Sequence, residues 1–381
     1  MNLEDIRSRI DRIDDQMVAL FVERMDAVTA VAEAKKQAGK PMRDHARERE
    51  IINRMTRAAG ESYAPYVRAL YSQMFDLSRS NQSTLFDYAS PLAKRIAGAL
   101  ADTRGKRLPD HALVACQGTE GAYAQQACEK LFAYPDILYF DSFDGVFSAV
   151  EKGMCEYGIL PIENSTAGSV TQVYDLMEKH DFHIVGAQRL RIDHRLMRRN
   201  AGSATPIREV VSHEQALRQC SEFFRDHPEI RATPMTNTAV AAEFVAHSDR
   251  DDVAVIASRA CADLYGLTVI NDAVSNNENN YTRFICISRK LEIYPMARKI
   301  SLMLNLAHEP GALNQVVSKL AIAGVNLLKL ESRPIPGREF EFRFFFDMAA
   351  SVADPEIVRL MCEMEAHSER FVFLGCYDEA D

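Results

Sequence analysis

Apolar residues near the start of the chain recur at spacings of three and four. Ile6, Ile10, Ile13, Met17 and Leu20 form one stripe, with no Pro or Gly before Gly39 and Pro41. That period predicts a single helix of about 35 residues, which is roughly 50 Å long. A helix of that length cannot bury its stripe against one small domain, so the pattern calls for a partner subunit. The stripe continues through Arg24, Val28, Val31 and Lys35, putting two cations where apolar residues are due. A second helix begins near Asp44, with Arg47 and Glu48 just ahead of Ile51, Ile52 and Met55, and Gly60-Glu61-Ser62 breaks it. A third runs from about Pro65 to Phe86 on Val67, Leu70 and Met74, a stripe that Ser78 and Gln82 extend with polar groups.

The period then changes. After a basic, Pro- and Gly-flanked stretch at 89–110 that reads as a linker, short apolar runs alternate with helical patterns over 111–290, which means an α/β architecture. Within it, Ala112 to Cys116 leads into Gly118-Thr119-Glu120-Gly121, Tyr157 to Ile162 leads into Glu163-Asn164-Ser165, and the Asn-rich loop Ser275 to Asn280 leads into Phe284 to Ile287. Residues 297–381 read strand, helix, strand, strand, helix, strand, the ferredoxin-like order. The expected division is therefore a helical unit at 1–88, the linker, the α/β unit at 111–290 and a small domain at 297–381.

Composition narrows the function. A chain of 381 residues, 47% hydrophobic, has room for two or three cored domains. Net charge is −9 with no basic run comparable to a nucleic-acid footprint, so a nucleic-acid partner is not expected and any anion site is local. The acidic start Met1-Asn2-Leu3-Glu4-Asp5 lacks a signal-peptide core, and no apolar run reaches membrane-spanning length. Cys116, Cys128, Cys155, Cys220, Cys261, Cys286, Cys362 and Cys376 form no Cys-x-x-Cys pair and read as reduced core residues of a cytoplasmic protein, with no metal or cofactor expected.

Candidate chemistry lies at the misplaced polar groups. Arg24 and Lys35 fall on nearly the same helix face, where a cation either snorkels to a helix end or meets an anion, and Arg24 is far from both ends. Arg7 can hardly reach the same ligand in its own subunit, but in an antiparallel helix pair the partner's first turns cross near Arg24. The Gly118–Gly121 turn at a helix start makes a nest for an anion, though its spacing is neither a dinucleotide fingerprint nor a P-loop. Asn164 and Ser165 follow a buried strand, as ligand contacts do, while Ser165 to Gly168 reads equally as a helix cap. Thr282 and Arg283 offer a hydroxyl and a guanidinium suited to a small hydroxylated acid, or else a turn cap and a surface cation. His194 and His213 are either general bases or structural.

The polar set on the first three helices resembles the all-helical class of chorismate mutase, an intertwined dimer with two sites. The resemblance implies that Arg24 and the other subunit's Arg7 hold the two carboxylates of chorismate. Lys35 and Gln82 would face the ether oxygen of the breaking bond, Glu48 and Arg47 would orient the ring hydroxyl, and Asp44 and Ser78 would complete the pocket. Such a Claisen rearrangement needs a compact conformer and donors where negative charge grows, with no nucleophile.

Thr282-Arg283-Phe284 after the Asn-rich loop, following Ala254 to Ser258 and Tyr265-Gly266-Leu267, resembles the signature of prephenate dehydratases. Pro161 to Ser165 with Gly168, and Ser212-His213 with Gln215, agree. The family's two-lobed, periplasmic-binding-protein-like α/β fold implies Asn164 on one cleft wall with Thr282 beside it, and Ser165 and Gln215 as further substrate contacts. Thr282 would then act on the departing hydroxyl and Arg283 on a carboxylate. Ala124 stands where the family carries a hydroxyl, and Thr119 is the residue placed to substitute. Gly311-Ala312-Leu313 and Glu331-Ser332-Arg333-Pro334 resemble the ACT regulatory domain, implying phenylalanine bound at a subunit interface, with Asn314 in place of an apolar residue. The expectation is a bifunctional, feedback-inhibited enzyme making prephenate and then phenylpyruvate, as a homodimer or larger. Its rivals are a non-catalytic amino-acid-responsive binding protein and a dehydratase preferring arogenate.

Overall fold

The computed structural model describes residues 2–39, 44–83, 90–277 and 279–380; Pro41, Glu278 and the last turn expected up to Phe86 lie outside them. The chain opens with α1 (Leu3–Gln37), α2 (His45–Ala59) and α3 (Ala64–Ser83). The predicted long helix is there at 35 residues, started by a capping box in which the side chains of Asn2 and Asp5 each take the other's backbone N–H. Ala32 is its buried residue, while Leu3, Ile6, Ile10, Ile13, Met17 and Leu20 stand exposed. The buried face of α3 is mostly polar: Asp76, Ser78, Arg79 and Gln82 join Phe75.

After α4 (Pro91–Asp102) the α/β region runs β1 (His111–Gln117), α5 (Tyr123–Leu131), β2 (Tyr134–Phe140), α6 (Phe143–Glu151), β3 (Tyr157–Asn164), β4 (Gly168–Ser169), α7 (Thr171–Leu176) and β5 (His183–Arg191). There follow β6 (Arg195–Arg198), β7 (Glu209–His213), α8 (Glu214–Gln219), α9 (Ser221–Asp226), β8 (Arg231–Met235), α10 (Thr238–His247), β9 (Val253–Ala257), α11 (Arg259–Tyr265), β10 (Thr268–Asn271) and β11 (Tyr281–Ser288). The last elements are β12 (Lys299–Asn305), α12 (Ala312–Ile322), β13 (Asn326–Pro334), β14 (Phe342–Ala349), α13 (Pro355–His367), β15 (Arg370–Tyr377) and β16 (Glu379–Ala380).

Two sheets make two lobes. One has the order β16-β5-β11-β3-β1-β2 with β4 on β3; the other has the order β10-β6-β9-β7-β8. The chain passes to the second lobe after β5 and returns as β11, which inserts antiparallel between β5 and β3. The β3–β11 register sets Asn164 opposite Thr282 and Glu163 opposite Arg283. Because side chains alternate along a strand, the first pair faces one side of the sheet and the second pair the other.

The third sheet, β13-β14-β12-β15, is antiparallel throughout and has the strand order of a ferredoxin-like unit. Its residues Met303, Phe345, Leu374 and Tyr377 share a core with Ile162, Tyr174, Ile184 and Ile285 of the first lobe. Compact units do not follow chain order. Met1–Ala93, Ala307–Gly324 and Arg359–His367 form one, in which Lys319 of α12 pairs with the buried Glu363 of α13; the remainder forms the other.

Gly375 marks the tightest approach of β15 to β5: a Cβ there would meet the carbonyl oxygen of Ile184 at 2.0 Å. A backbone atom cannot step aside as a flexible side chain does, so Gly375→Ala is expected to cost about 3 kcal/mol in urea-induced unfolding.

Candidate active sites

On the helices, polar side chains from all three elements converge. Arg24 Nη1 donates to Ser78 Oγ at 2.8 Å, and its guanidinium lies over the Phe75 ring, 5.5 Å from the centroid. Ser78 donates in turn to the carbonyl of Met74 at 2.6 Å, so its hydroxyl is oriented to receive Arg24. Gln82 gives one amide hydrogen to the carbonyl of Val28 at 3.1 Å. Lys35 is half-buried on the same helix as Arg24, and Arg7 is exposed 17 residues before Arg24, about 25 Å along the axis. Asp44 caps α2, its carboxylate accepting the Arg47 N–H at 3.0 Å; that bond holds its pKa below the ordinary value, with Lys35 assisting.

Arg47 needs correction. Its side chain, 55% exposed, pairs with Glu50 one turn along at 2.7 Å, and Glu48 meets Arg79 of α3 at 2.5 Å. Nothing in the spacing of α2 pointed to Arg79, because it reaches Glu48 from another helix.

Between the two lobes of the α/β region lies a cleft of about 580 Å³. Thr282, Asn164, Gln215 and His194 line it, together with Gln219, Tyr123 and Asn237. The orientation of its amides is set by the backbone. The N–H groups of Thr166 and Ala167 point at one end of Asn164, at 3.0 and 2.8 Å, and an N–H can only donate, so that end is Oδ1. Asn164 Nδ2 therefore faces Asn280 Oδ1 at 2.7 Å and Thr282 Oγ1 at 3.0 Å. Asn280 Nδ2 then donates to Gln219 Oε1 at 3.0 Å, and the same oxygen takes the Nε2–H of His194 at 2.9 Å. Thr282 is left accepting from Asn164 and holding its own proton for an acceptor in the cleft.

The same logic fixes the tautomer of His194. Its Nε2 donates to Gln219, its Nδ1 lies 3.3 Å from the Tyr123 hydroxyl, and burial lowers its pKa. It is a neutral link in the network. His213 caps α8, its Nδ1 accepting the Gln215 N–H at 3.3 Å. Gln219 and Asn280 were the missed members. Gln219 sits one helical turn after Gln215 and directly before the buried Cys220, and that spacing along the helix was the available signal.

Three expected contacts lie elsewhere. Arg283 faces away from the cleft, because it is the next residue on the strand after Thr282. It is buried against Asp347 of β14 at 2.6 Å and Glu163 at 3.2 Å. Burial opposes its charge, yet Asp347 and Glu379 hold its pKa above the ordinary value. Ser165 ties the loop to β11, donating to the Asn279 carbonyl at 3.1 Å and accepting the Tyr281 N–H at 2.9 Å. Thr119 stays in the β1–α5 turn, where its carbonyl takes the Ala122 N–H, and does not line the cleft.

Of the expected regulatory residues, Gly311 is left-handed (φ 93°) at the start of α12, where Ala312, Leu313 and Asn314 form the first turn. Glu331, Ser332 and Arg333 lie on β13, whose alternate residues meet the first lobe. Lys329 pairs with Glu163 at 2.8 Å and donates to Ser169 at 2.8 Å; Ser169 donates to Glu331 at 2.7 Å; Arg333 takes both oxygens of Asp175 at 2.9 Å. Ser169 is itself a cleft residue. Among the described residues, no group of His, Cys, Asp and Glu is placed to hold a metal ion.

Residues 6–83 match the family described as chorismate mutase type II, and residues 114–292 match prephenate dehydratase. The chain is 29% identical over 381 residues to the bifunctional chorismate mutase/prephenate dehydratase of Escherichia coli K12, covering 98% of this chain and 95% of that one. The chain belongs to the bifunctional chorismate mutase/prephenate dehydratase family. It is also 34% identical over 275 residues to arogenate dehydratase/prephenate dehydratase 2 of Arabidopsis thaliana, covering 69% of this chain and 72% of that one. Among solved structures, prephenate dehydratase of Arthrobacter aurescens in complex with L-Phe aligns at TM-score 0.64 and 25% identity, over 70% of this chain and 90% of that one. The two family matches fall on separate clusters of polar side chains, an ionic one among the helices and a neutral one between the lobes.

Two outcomes follow from these geometries. Burial lowers the pKa of His183, His194 and His213, so below their ordinary 6.5 the unfolded chain takes up protons that the folded chain refuses. Unfolding stability from these groups should be flat above pH 6.5 and fall as the pH drops below it, as read from urea midpoints across that range. Separately, Asp347→Ala, which leaves Arg283 buried without its nearest counter-ion, is expected to lower stability by about 3 kcal/mol by the same measurement.

Proposed function

We propose that the helical cluster binds chorismate between two copies of the chain. In this reading Arg24, held by Ser78, takes one carboxylate and Arg7 of the partner subunit takes the other. Lys35 and Gln82 face the ether oxygen, where a full positive charge and a neutral donor stabilise the charge that develops as the bond breaks. Glu48 accepts the ring hydroxyl. The exposed apolar stripe of α1 supports the homodimer, since a second helix would cover it and bring its Arg7 turn toward Arg24.

In the cleft, the observation that carries the reading is the fixed Asn164–Thr282 pair. Prephenate loses its ring carboxylate as carbon dioxide, the released electron pair enters the ring, and the C–O bond opposite breaks. The oxygen leaves with a proton supplied finally by solvent. Thr282 hydrogen-bonds that oxygen, and aromatisation drives the step. Among the described residues, the cleft lining contains no Lys, Arg, Asp or Glu. The substrate carboxylates then rest on N–H groups at the starts of α5 and α10, both of which border the cleft. A lining without a carboxylate also favours prephenate over arogenate, whose ammonium would go unpaired.

The four-stranded sheet is read as an ACT regulatory domain with phenylalanine as feedback effector. Its strand order supports this, as do the contacts of Lys329 and Glu331 with Ser169 of the cleft wall and of Lys329 with Glu163 on the far face of the sheet. The two lobes around the cleft agree with a periplasmic-binding-protein-like arrangement. Eight buried free cysteines suit the cytoplasm, and among the described residues no helix is long and apolar enough to cross a membrane.

Purified protein given chorismate should consume it, release phenylpyruvate and slow when phenylalanine is added. Lys35→Ala is expected to cut chorismate loss by about a hundredfold or more while leaving conversion of supplied prephenate intact, and Thr282→Val to do the reverse on a similar scale. A Thr282→Val enzyme dehydrating prephenate at the parental rate would sink the cleft assignment. Faster turnover of arogenate than of prephenate would sink the substrate preference.

A further inference from the structure

We propose that Arg79 is a positioning residue of the mutase site, holding the Glu48 carboxylate where it accepts the substrate's ring hydroxyl. The inference rests on the reading of Glu48 given above. Its ground is a charged triad on the helices: Asp76 and Arg79 lie one turn apart on α3, and Glu48 lies in the first turn of α2. The Arg79 side chain is 10% exposed and that of Asp76 9%, so neither charge is solvated by bulk water. One arm of the guanidinium, Nη2, binds Asp76; the other, Nη1, binds Glu48 Oε1 at 2.5 Å.

The arrangement fixes direction as well as charge. A guanidinium is planar, so anchoring one arm on Asp76 within α3 aims the other arm across to α2. A carboxylate has about four lone-pair positions, and the bond from Arg79 leaves acceptor capacity on Glu48 for a hydroxyl. The triad carries two carboxylates to one cation, so Arg79 orients Glu48 without making the cluster neutral. With one bond from each Nη group spent on a protein carboxylate, Arg79 is assigned a role that runs through Glu48. The sequence neighbour Arg47 does not compete for this role, being turned toward Glu50.

A double-mutant cycle on the full chain tests this. Mutase kcat and KM would be measured for the parent, R79M, E48Q and R79M/E48Q, with dehydration of supplied prephenate on the same preparations as the control for a folded chain. R79M and E48Q should each lower kcat/KM for chorismate by about tenfold or more, the scale of one lost charge-assisted hydrogen bond. The double variant should be no slower than E48Q, because an arm that acts only through Glu48 has nothing left to act on. R79K, which keeps the charge but not the planar fork, should recover part of the loss. If R79M loses helical circular dichroism, R79Q and the charge-relieved D76N/R79M carry the same comparison.

Losses that multiply in the double variant would overturn the proposal, placing Arg79 on the substrate or in the fold alone. An R79M enzyme at the parental rate beside a slow E48Q would overturn it while leaving Glu48 in its role. A parental rate in E48Q would overturn both.

Discussion

The pairing register of β3 with β11 is the constraint on which the α/β half of the molecule depends. It sets two cross-strand pairs side by side, Asn164 with Thr282 and Glu163 with Arg283. Strand alternation sends the first into the cleft and the second into the junction with the four-stranded sheet. A slip of β11 by one residue would turn Arg283 into the cleft beside Asn164 and bury the Thr282 hydroxyl toward Asp347. Chemistry and domain docking are therefore two faces of one decision, and neither pair can drift without the other. Lys329 strengthens the link, since it binds Glu163 on one side and the cleft residue Ser169 on the other.

The helical half solves a different problem with an inverted pattern. Its longest helix turns apolar residues outward and shares a polar interior with α2 and α3. Buried charges cost more than they return unless each is paired, which explains why Arg24 lies on Ser78 and Phe75 and why Arg79 lies between Asp76 and Glu48. An apolar exterior and an ionic interior make sense together when a second chain covers the first and a dianion completes the second.

What the sequence made legible follows from how local the signal was. The 35-residue helix, the α/β alternation and the terminal strand order are periodicities, and all three appear in the structure. Asn164 and Thr282 could be placed together only through the resemblance to prephenate dehydratases, since nothing local in the sequence pairs β3 with β11. Arg283 could not be assigned correctly from the same motif: alternation requires it to face away from Thr282, but which face is the cleft is decided by β5 and β3 on either side. Arg47 misled for the converse reason. Adjacency to Glu48 in sequence is not adjacency on a helix, where neighbours lie about 100° apart, while Arg79 meets Glu48 across two helices. Gln219 and Asn280 carried only a weak signal because an amide network has no period and no charge.

The separation of ionic from neutral groups across one sheet has a catalytic meaning. A guanidinium in the cleft would bind every carboxylate that passed, substrate and product alike, and such uniform binding lowers KM without accelerating the chemical step. The N–H groups at helix starts and the Asn164–Thr282 pair are oriented before a substrate arrives, and in the proposed reading it is the Thr282 proton that meets the oxygen gaining charge as it leaves. Keeping Arg283 on the far face retains its charge for docking, where it is matched by Asp347, Glu163 and Glu379. The cleft stays neutral because the charge next to it in sequence has been given other work.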